Sequence, residues 1–531
     1  MSETPAGSSR RGCACGRVLV VLLVATACRG FEPAALAQES KYVVAPCDQV
    51  YAAPDVELPD LALFEPAAVR RGLPSGSDGV AGLIAADGDD FLEESLQSNR
   101  RADLVERQGT EDLRALAAQS GTLTLSELIA QVNDPLVASS EAGVATLRLP
   151  LLIQPGATLV VNGSNTRELR LSTGDGAFVI NAGTLWVVDS LVTSWDEDSG
   201  AATPLSDPKH FRPYLASHIR SHTVLLDSVF QDLGYAAPTS YGISLSSEPE
   251  RERGGVNDDW PTGVLVGNEF RRLFYGFYSY EARDVAIVGN RYRDCVKYGI
   301  DPHDRSTRLI IAQNNVSGTV ERHGIIGSRG VSDSFIFANE SHRNAGSGIM
   351  LDRECTGNVV VDNRAYLNNQ GVAVYESSDN VIAGNMIVGN KKSGVRIRNS
   401  RRVFVQDNTC VSNGDYAFEV SEKRLDDHDK RAARGDTYEQ ATTATISGNR
   451  LAANRGYLKT NGLTRLTLGP ILTVQDAAAV EELTGTPVTP EEVPATLKVG
   501  GDAKPLADRL QAVGDSVSSC VVLELSADAS N

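Results

Sequence analysis

The sequence predicts an all-β solenoid, a right-handed parallel β-helix with coils of about 23 residues, and three aligned columns predict it. Gly276, Gly299, Gly324, Gly348, Gly371 and Gly394 recur at intervals of 23, 25, 24, 23 and 23 residues. The residue after each is apolar in every copy: Phe277, Ile300, Ile325, Ile349, Val372 and Val395. Asn268, Asn290, Asn314, Asn339, Asn363, Asn385 and Asn408 form the third column, behind β-rich runs such as VAIVG, FIFA, VVVD and FVQD. Apolar runs of three to five residues, β-branched and punctuated by Gly and Asn, are strand signals; a helical repeat needs ten or more residues at a 3.6 period. A leucine-rich horseshoe would need a leucine consensus that is absent. Stacked coils pair each strand with its counterpart one coil later at roughly 4.8 Å. The aliphatics then fill the interior, and the asparagines bond turn backbone groups up and down the stack.

Taken in order, residues 1–37 read as a signal peptide. Arg10, Arg11 and Arg17 precede the apolar run VLVVLLVA, and the small-residue site Ala35-Leu36-Ala37 follows, so cleavage is expected near Ala37. The apolar run is too short for a membrane span. Cys28 in VATAC offers a competing lipid-attachment site, weakened by Ala25 where a bulkier aliphatic is usual. Residues 38–145 form an N-terminal segment with helix-compatible pieces such as LTLSELIAQV. The β-helix is expected over 146–455: less regular coils, including PGATLVVNG and HTVLLDSVFQDLGY, precede the clear repeats, and the charged insertion KRLDDHDKRAARGDTYEQ at 423–440 splits off a last coil. Residues 456–531 are a C-terminal segment, and one of the two flanking segments is expected to cap an open solenoid end.

The full chain carries −18; the first 37 residues hold four Arg and two Glu, so removing +2 leaves −20 on the mature protein. Such a balance argues against nucleic acid or an anionic membrane surface as partner. No second long apolar stretch occurs, so no transmembrane segment is expected in the mature chain. An anionic substrate would require a local basic patch against the global field. Cysteine usage is modest: beyond the leader stand Cys47, Cys295, Cys355, Cys410 and Cys520, too widely spaced for a disulfide framework. A Cys47–Cys520 bridge tying the two ends is compatible with an oxidising compartment, and the middle three read as buried thiols.

Reading across coils gathers the ionisable groups. Four residues after the aligned glycine stand Tyr280, His303, Ser328, Asp352, Tyr375 and Arg398; five after it stand Glu281, Asp304, Arg329, Arg353, Glu376 and Asn399. These columns should form a polar stripe on the outer face. Alternation from Ile300 points Asp301 and His303 outward, with Pro302 expected to end the strand. Any solenoid has a solvated face, but Tyr298, His303, Asp304, Arg305, His323 and Arg329 all fall within two neighbouring coils. A groove of alternating charge suits an extended, charged, hydroxyl-rich polymer.

The stretch YGIDPHDR, with LIIAQNN, ERHGIIGSRGVSDSFIFAN, SGIMLDR and VYESSDN after it and FRPYLASH, LGYAAPTSYGISLS and GAFVINAGTLWVVDS before it, resembles the periplasmic mannuronan C5-epimerase family of alginate-producing bacteria over roughly residues 145 to 420. The DPHD motif is similar to that of secreted, calcium-dependent epimerases as well, but their glycine-rich calcium repeats are not visible, so no calcium or other cofactor is carried over. The resemblance implies a periplasmic enzyme that removes the C5 proton of β-D-mannuronate within polymannuronate and returns a proton from the opposite face, giving α-L-guluronate. A proton beside a carboxylate is weakly acidic, so the reaction needs a cation on the carboxylate, a base, and a donor across the ring.

His303, with an ordinary pKa of about 6.5, is the candidate base. Arg329 matches the family's neutralising arginine and can grip a carboxylate with two prongs. Tyr298 takes the position of the tyrosine implicated in the secreted relatives, with ordered water as the alternative donor. Asp301 and Asp304 orient His303 or bind hydroxyls, and Arg305, His323, Asp352, Arg353, Tyr375, Glu376 and Arg398 complete the expected substrate-binding set. No metal site is expected: His218 and His222 in HIRSH lack a third ligand. Two other functions remain open here. A polysaccharide lyase begins with the same proton abstraction, and a non-catalytic β-helix could shield or guide the polymer beside other proteins of a periplasmic export complex.

Overall fold

The computed structural model describes residues 53–92, 100–247, 260–433 and 438–469, together with the backbone of the strands Tyr42–Cys47, Leu472–Val474, Gly500–Gly501 and Cys520–Leu525. The expected signal peptide and the alternative lipid site at Cys28 lie outside the described residues. From Tyr42 onward the chain is one compact unit built as a parallel β-helix. Among the described residues, each turn contributes one strand to each of three long sheets, called A, B and C here, of 15, 15 and 14 strands. In the clearest turn the chain passes from Tyr275–Tyr280 in sheet B to Val285–Val288 in A, then Arg291–Arg293 in C, before re-entering B at Tyr298–His303.

Register follows the aligned columns. In sheet B, Phe277, Ile300, Ile325, Ile349, Val372 and Val395 pair in succession, and all six are buried in one continuous core. The glycine before each is required by a close approach at the corner entering sheet B. A Cβ on Gly299 would meet Val316 Cγ1 at 2.3 Å and the Gly324 carbonyl at 2.6 Å; on Gly371 it would meet Ile387 Cγ2 at 2.2 Å.

The asparagine ladder runs unbroken from Asn268 to Asn449, each side-chain oxygen accepting the previous rung's backbone N–H at 2.9–3.0 Å. The side-chain amides donate to carbonyls such as Ile287 O and Ile311 O, so buried turn groups are satisfied without water. A second ladder, which the sequence reading did not isolate, joins Asn344, Asn368, Asn390, Asn413 and Asn454 at 2.9–3.1 Å.

The two ends of the stack differ among the described residues. At the N-terminal end, the helix Leu125–Val132 is fixed by a Thr124–Glu127 capping box, a left-handed Asn133 ends it, and Leu125 and Leu128 enter the core. At the other end, Cys520–Leu525 pairs antiparallel with Arg465–Leu468 and, on its far side, with Tyr42–Cys47. From there the chain returns as a strap along the outer face of sheet A. Ala53 donates its backbone N–H to Gln406 at 2.6 Å, Leu58, Leu61, Phe64, Val69 and Leu73 pack on that sheet, and Arg70 bridges Asp189 and Asp227. No helix among the described residues is long and apolar enough to cross a membrane.

Candidate active site

The strand Tyr298–His303 crosses the outer face of sheet B. Ile300 points into the core, and its neighbours alternate through Pro302: Asp301 pairs with Tyr278, Pro302 with Ser279, and His303 with Tyr280. The expectation that Pro302 ends the strand is therefore corrected. Pro302 lacks an N–H, and toward the next coil only Ile300–Ile325 and His303–Ser328 pair, so the missing donor falls in a gap of that ladder rather than ending it.

His303 occupies one wall, its side chain 24% exposed. Its Nδ1 bonds to Asp304 Oδ2. With Nδ1–H donating to a carboxylate, Nε2 keeps its lone pair in the neutral ring. Burial pulls the imidazole pKa down, but the Asp304 bond and the charges of Asp301 and Asp304 outweigh it, and the net shift is upward. One rung on, Arg329 holds a left-handed turn conformation (φ 58°) and is 46% exposed, with Nη1 a loose 3.8 Å from Asp304 Oδ1.

Tyr298 stands at the opposite end of the strand. Five residues at about 3.3 Å each put roughly 16 Å of backbone between it and His303. Its ring lies edge-on to Tyr275 at 5.0 Å and parallel to His323 at 5.9 Å. Burial, with Asp301 adding, raises the phenol pKa to about 12, so it stays protonated. His323 accepts the Ser347 backbone N–H on Nδ1 at 2.9 Å, which places its own proton on Nε2. Burial and Arg322 hold it near 4, a neutral donor throughout the physiological range.

Between the walls lies Asp301, 1% exposed. Among the described residues its Oδ1 has no hydrogen-bond partner, and burial pushes its pKa to about 7. Around it gather Tyr241, Tyr275 and Tyr278, whose own pKa values rise by burial first and then by the field of Asp301 or of one another. Tyr241 stacks on Tyr275 at 4.4 Å, and Tyr278 is 5.7 Å from the His303 ring. The sequence reading missed these three tyrosines; the run YGFYSY, one coil before YGIDPH, was the available signal for Tyr275 and Tyr278, and SYGISLS carries Tyr241. It also missed an apolar floor of Ile326, Met350 and Ala373, with Tyr298 packed against it, which flanks the expected polar stripe.

The outer members of the expected set divide. Asp352 and Arg353 form a pair at 3.6 Å two coils from His303, and burial lifts Asp352 to about 6. The Tyr375 hydroxyl donates to Gln370 at 2.9 Å, while the Arg398 guanidinium lies 4.0 Å over its ring. Glu376 departs from the substrate-binding expectation: its side chain is 1% exposed and receives Arg398 at 2.8 Å and Arg431 at 3.5 Å, so it holds arginines rather than sugar. Arg305 departs too, turning back one coil to the buried Glu281. Arg431 comes from the helix His428–Ala432 inside the charged insertion, whose neck is tied by Thr442 N–H to Glu422 at 2.7 Å. No group of three or more metal-ligating side chains occurs among the described residues.

Fold and geometry together define a class: a parallel β-helix with ionisable side chains gathered on the outer face of one sheet. The right handed beta helix region family matches residues 275–428. A mannuronan C5-epimerase of Pseudomonas putida is 37% identical over 443 residues, covering 82% of this chain and 84% of the relative; one of Pseudomonas aeruginosa is 37% identical over 425 residues, covering 79% and 77%. The crystal structure of the periplasmic alginate epimerase AlgG superposes with a TM-score of 0.76 at 32% identity, covering 80% of this chain and 100% of that one. The chain belongs to the mannuronan C5-epimerase family.

Proposed function

We propose that this protein converts β-D-mannuronate to α-L-guluronate within polymeric alginate, with His303 as base, Arg329 as carboxylate clamp and Tyr298 as acid. One observation carries the assignment of roles: the His303 Nδ1–Asp304 bond frees Nε2 one rung from the half-exposed guanidinium of Arg329. A polymer lying along the stack crosses successive rungs, so each uronate ring meets the Tyr298–His303 strand transversely, with one wall at either face. Arg329 binds the C6 carboxylate, which lowers the cost of the second negative charge that forms when C5 loses its proton. His303 Nε2 takes that proton. The resulting enediolate is quenched from the far face by the Tyr298 hydroxyl, which recovers its proton from solvent, and the glycosidic bond is untouched. His323 supports Tyr298 by its stacked ring and presents Nε2–H to the same wall.

The compartment we infer for the reaction is the periplasm, in keeping with the signal peptide expected from the sequence. Proton NMR of mannuronan incubated with the mature protein in deuterated water tests the reading. Guluronate with deuterium at C5 and an unshortened polymer are expected, and His303→Gln abolishes both exchange and inversion. Unsaturated chain ends absorbing in the ultraviolet, or undiminished exchange in His303→Gln, would overturn it.

A further inference from the structure

The two ends of the chain meet at the edge of sheet A, and their register carries an assignment of its own. Strand Tyr42–Cys47 runs antiparallel to Cys520–Leu525, with Tyr42 opposite Leu525, Val44 opposite Leu523, and Cys47 opposite Cys520. We propose that Cys47 and Cys520 form a disulfide that staples the first strand to the last.

Three observations converge on it. Directly opposed residues of an antiparallel pair share a face and have Cα atoms about 4.5–5.5 Å apart, inside the roughly 4.4–6.8 Å span of disulfides. The cysteine inventory leaves this pair and no other: Cys13, Cys15 and Cys28 precede the expected cleavage site, while Cys295, Cys355 and Cys410 are each sealed in the core as free thiols. The three core thiols all have pKa values raised by burial, which suppresses the reactive thiolate. Finally, an exported protein meets an oxidising compartment, where such a pair is oxidised.

The bond forms by exchange with a disulfide-bearing thiol oxidase. One cysteine thiolate attacks the oxidant's disulfide, giving a mixed disulfide and releasing one oxidant thiolate; the second cysteine thiolate attacks the mixed bond, releasing the other. The two protein thiols give up two protons and two electrons, and the oxidant leaves as a dithiol. The staple acts where the stack needs it. Cys520–Leu525 lies antiparallel on Arg465–Leu468 at the end of sheet A, and Tyr42–Cys47 is the outermost strand beyond it. The strand Tyr42–Cys47 also leads toward the strap that begins on Gln406 and ends on Asp189 and Asp227. A covalent link at its base holds strap and terminal strand together against fraying.

The test uses the mature protein from an oxidising compartment, denatured without reductant, alkylated and mapped by mass spectrometry. Three alkylated cysteines are expected before reduction and five after it, with a Cys47 peptide joined to a Cys520 peptide at a mass two hydrogens below their sum. Cys47→Ser and Cys520→Ser should lower the melting temperature by the same several degrees, the double variant by no more, and reductant should bring wild type down to meet them. Five alkylated cysteines without reduction, or a bond to any other cysteine, would overturn the proposal. The epimerase assignment is read by a different assay and stands or falls separately.

Discussion

Asp304→Asn keeps the shape of the group behind His303 and removes its charge. In the folded protein burial lowers the imidazole pKa, yet the Asp304 bond and the nearby carboxylates carry it above its ordinary value. A hydrogen bond to a charged group contributes about 1.5–3 kcal/mol, and one pKa unit corresponds to about 1.36 kcal/mol. Losing the bond should therefore lower the His303 pKa, because the largest upward contribution goes and burial remains. The sign follows from the role: a base works unprotonated, so kcat/KM falls as pH drops through the His303 pKa of the free enzyme. The wild-type acid limb should lie above the ordinary imidazole value of about 6.5, and in Asp304→Asn it should move down. The plateau should fall as well, on the order of 10²-fold, because asparagine supports either imidazole tautomer and the weaker base abstracts less readily. Initial rates of C5 deuterium exchange between pH 5 and 9 provide the measurement. An acid limb that stays in place, or moves up, would refute the pairing of His303 with Asp304 as the catalytic base.

Arg329→Lys keeps the charge but loses the planar grip, so kcat/KM for exchange should fall roughly 10- to 100-fold with no change in melting temperature. Asp301→Asn should flatten the pH dependence of KM: a carboxyl held near 7 is half-ionised there, so wild-type KM for the polyanion should rise as pH climbs through 7, and the neutral variant should not follow. Asn339→Ala orphans the buried Ile311 carbonyl and Asn314 N–H, at about 1–3 kcal/mol each, so thermal or urea unfolding should show a loss of about 2–6 kcal/mol. Arg431→Ala should open residues 422–442 to limited proteolysis while leaving the C5 exchange plateau near wild type, since Arg398 still covers Glu376.

The fold was legible because a solenoid repeats each local demand on every turn. The corner that forbids a Cβ writes a glycine column, and the turn that needs an amide writes an asparagine column. The second asparagine ladder was present in the same form, at Asn344, Asn368, Asn390 and Asn413, but it starts later and has fewer rungs before the charged insertion. Alternation through Ile300 correctly set Asp301 and His303 on the outer face. Burial was another matter: Asp301 is sealed by tyrosines from neighbouring coils, a property of no single strand. Partner choice was equally hidden. Arg305, Arg329 and Arg353 all lie in the turn after sheet B, and only the fold shows that Arg305 is committed to Glu281 while Arg329 is held loosely.

These positions bear on how so acidic a chain accepts a polyanion. Apart from Asp304, which is engaged by His303, four carboxylates near the site are muted by their surroundings. Burial pushes Asp301 to about 7 and Asp352 to about 6, and Glu281 and Glu376 are sunk beneath Arg305, Arg398 and Arg431. The floor between them is Ile326, Met350 and Ala373, and Arg329 projects from the wall beside His303. By muting these acids the groove weakens the local opposition to a polyanion over a few rungs without any excess of basic residues. It does so by desolvating acids and hiding them under arginines, which a rigid stack of strands can sustain because every rung holds the next in register.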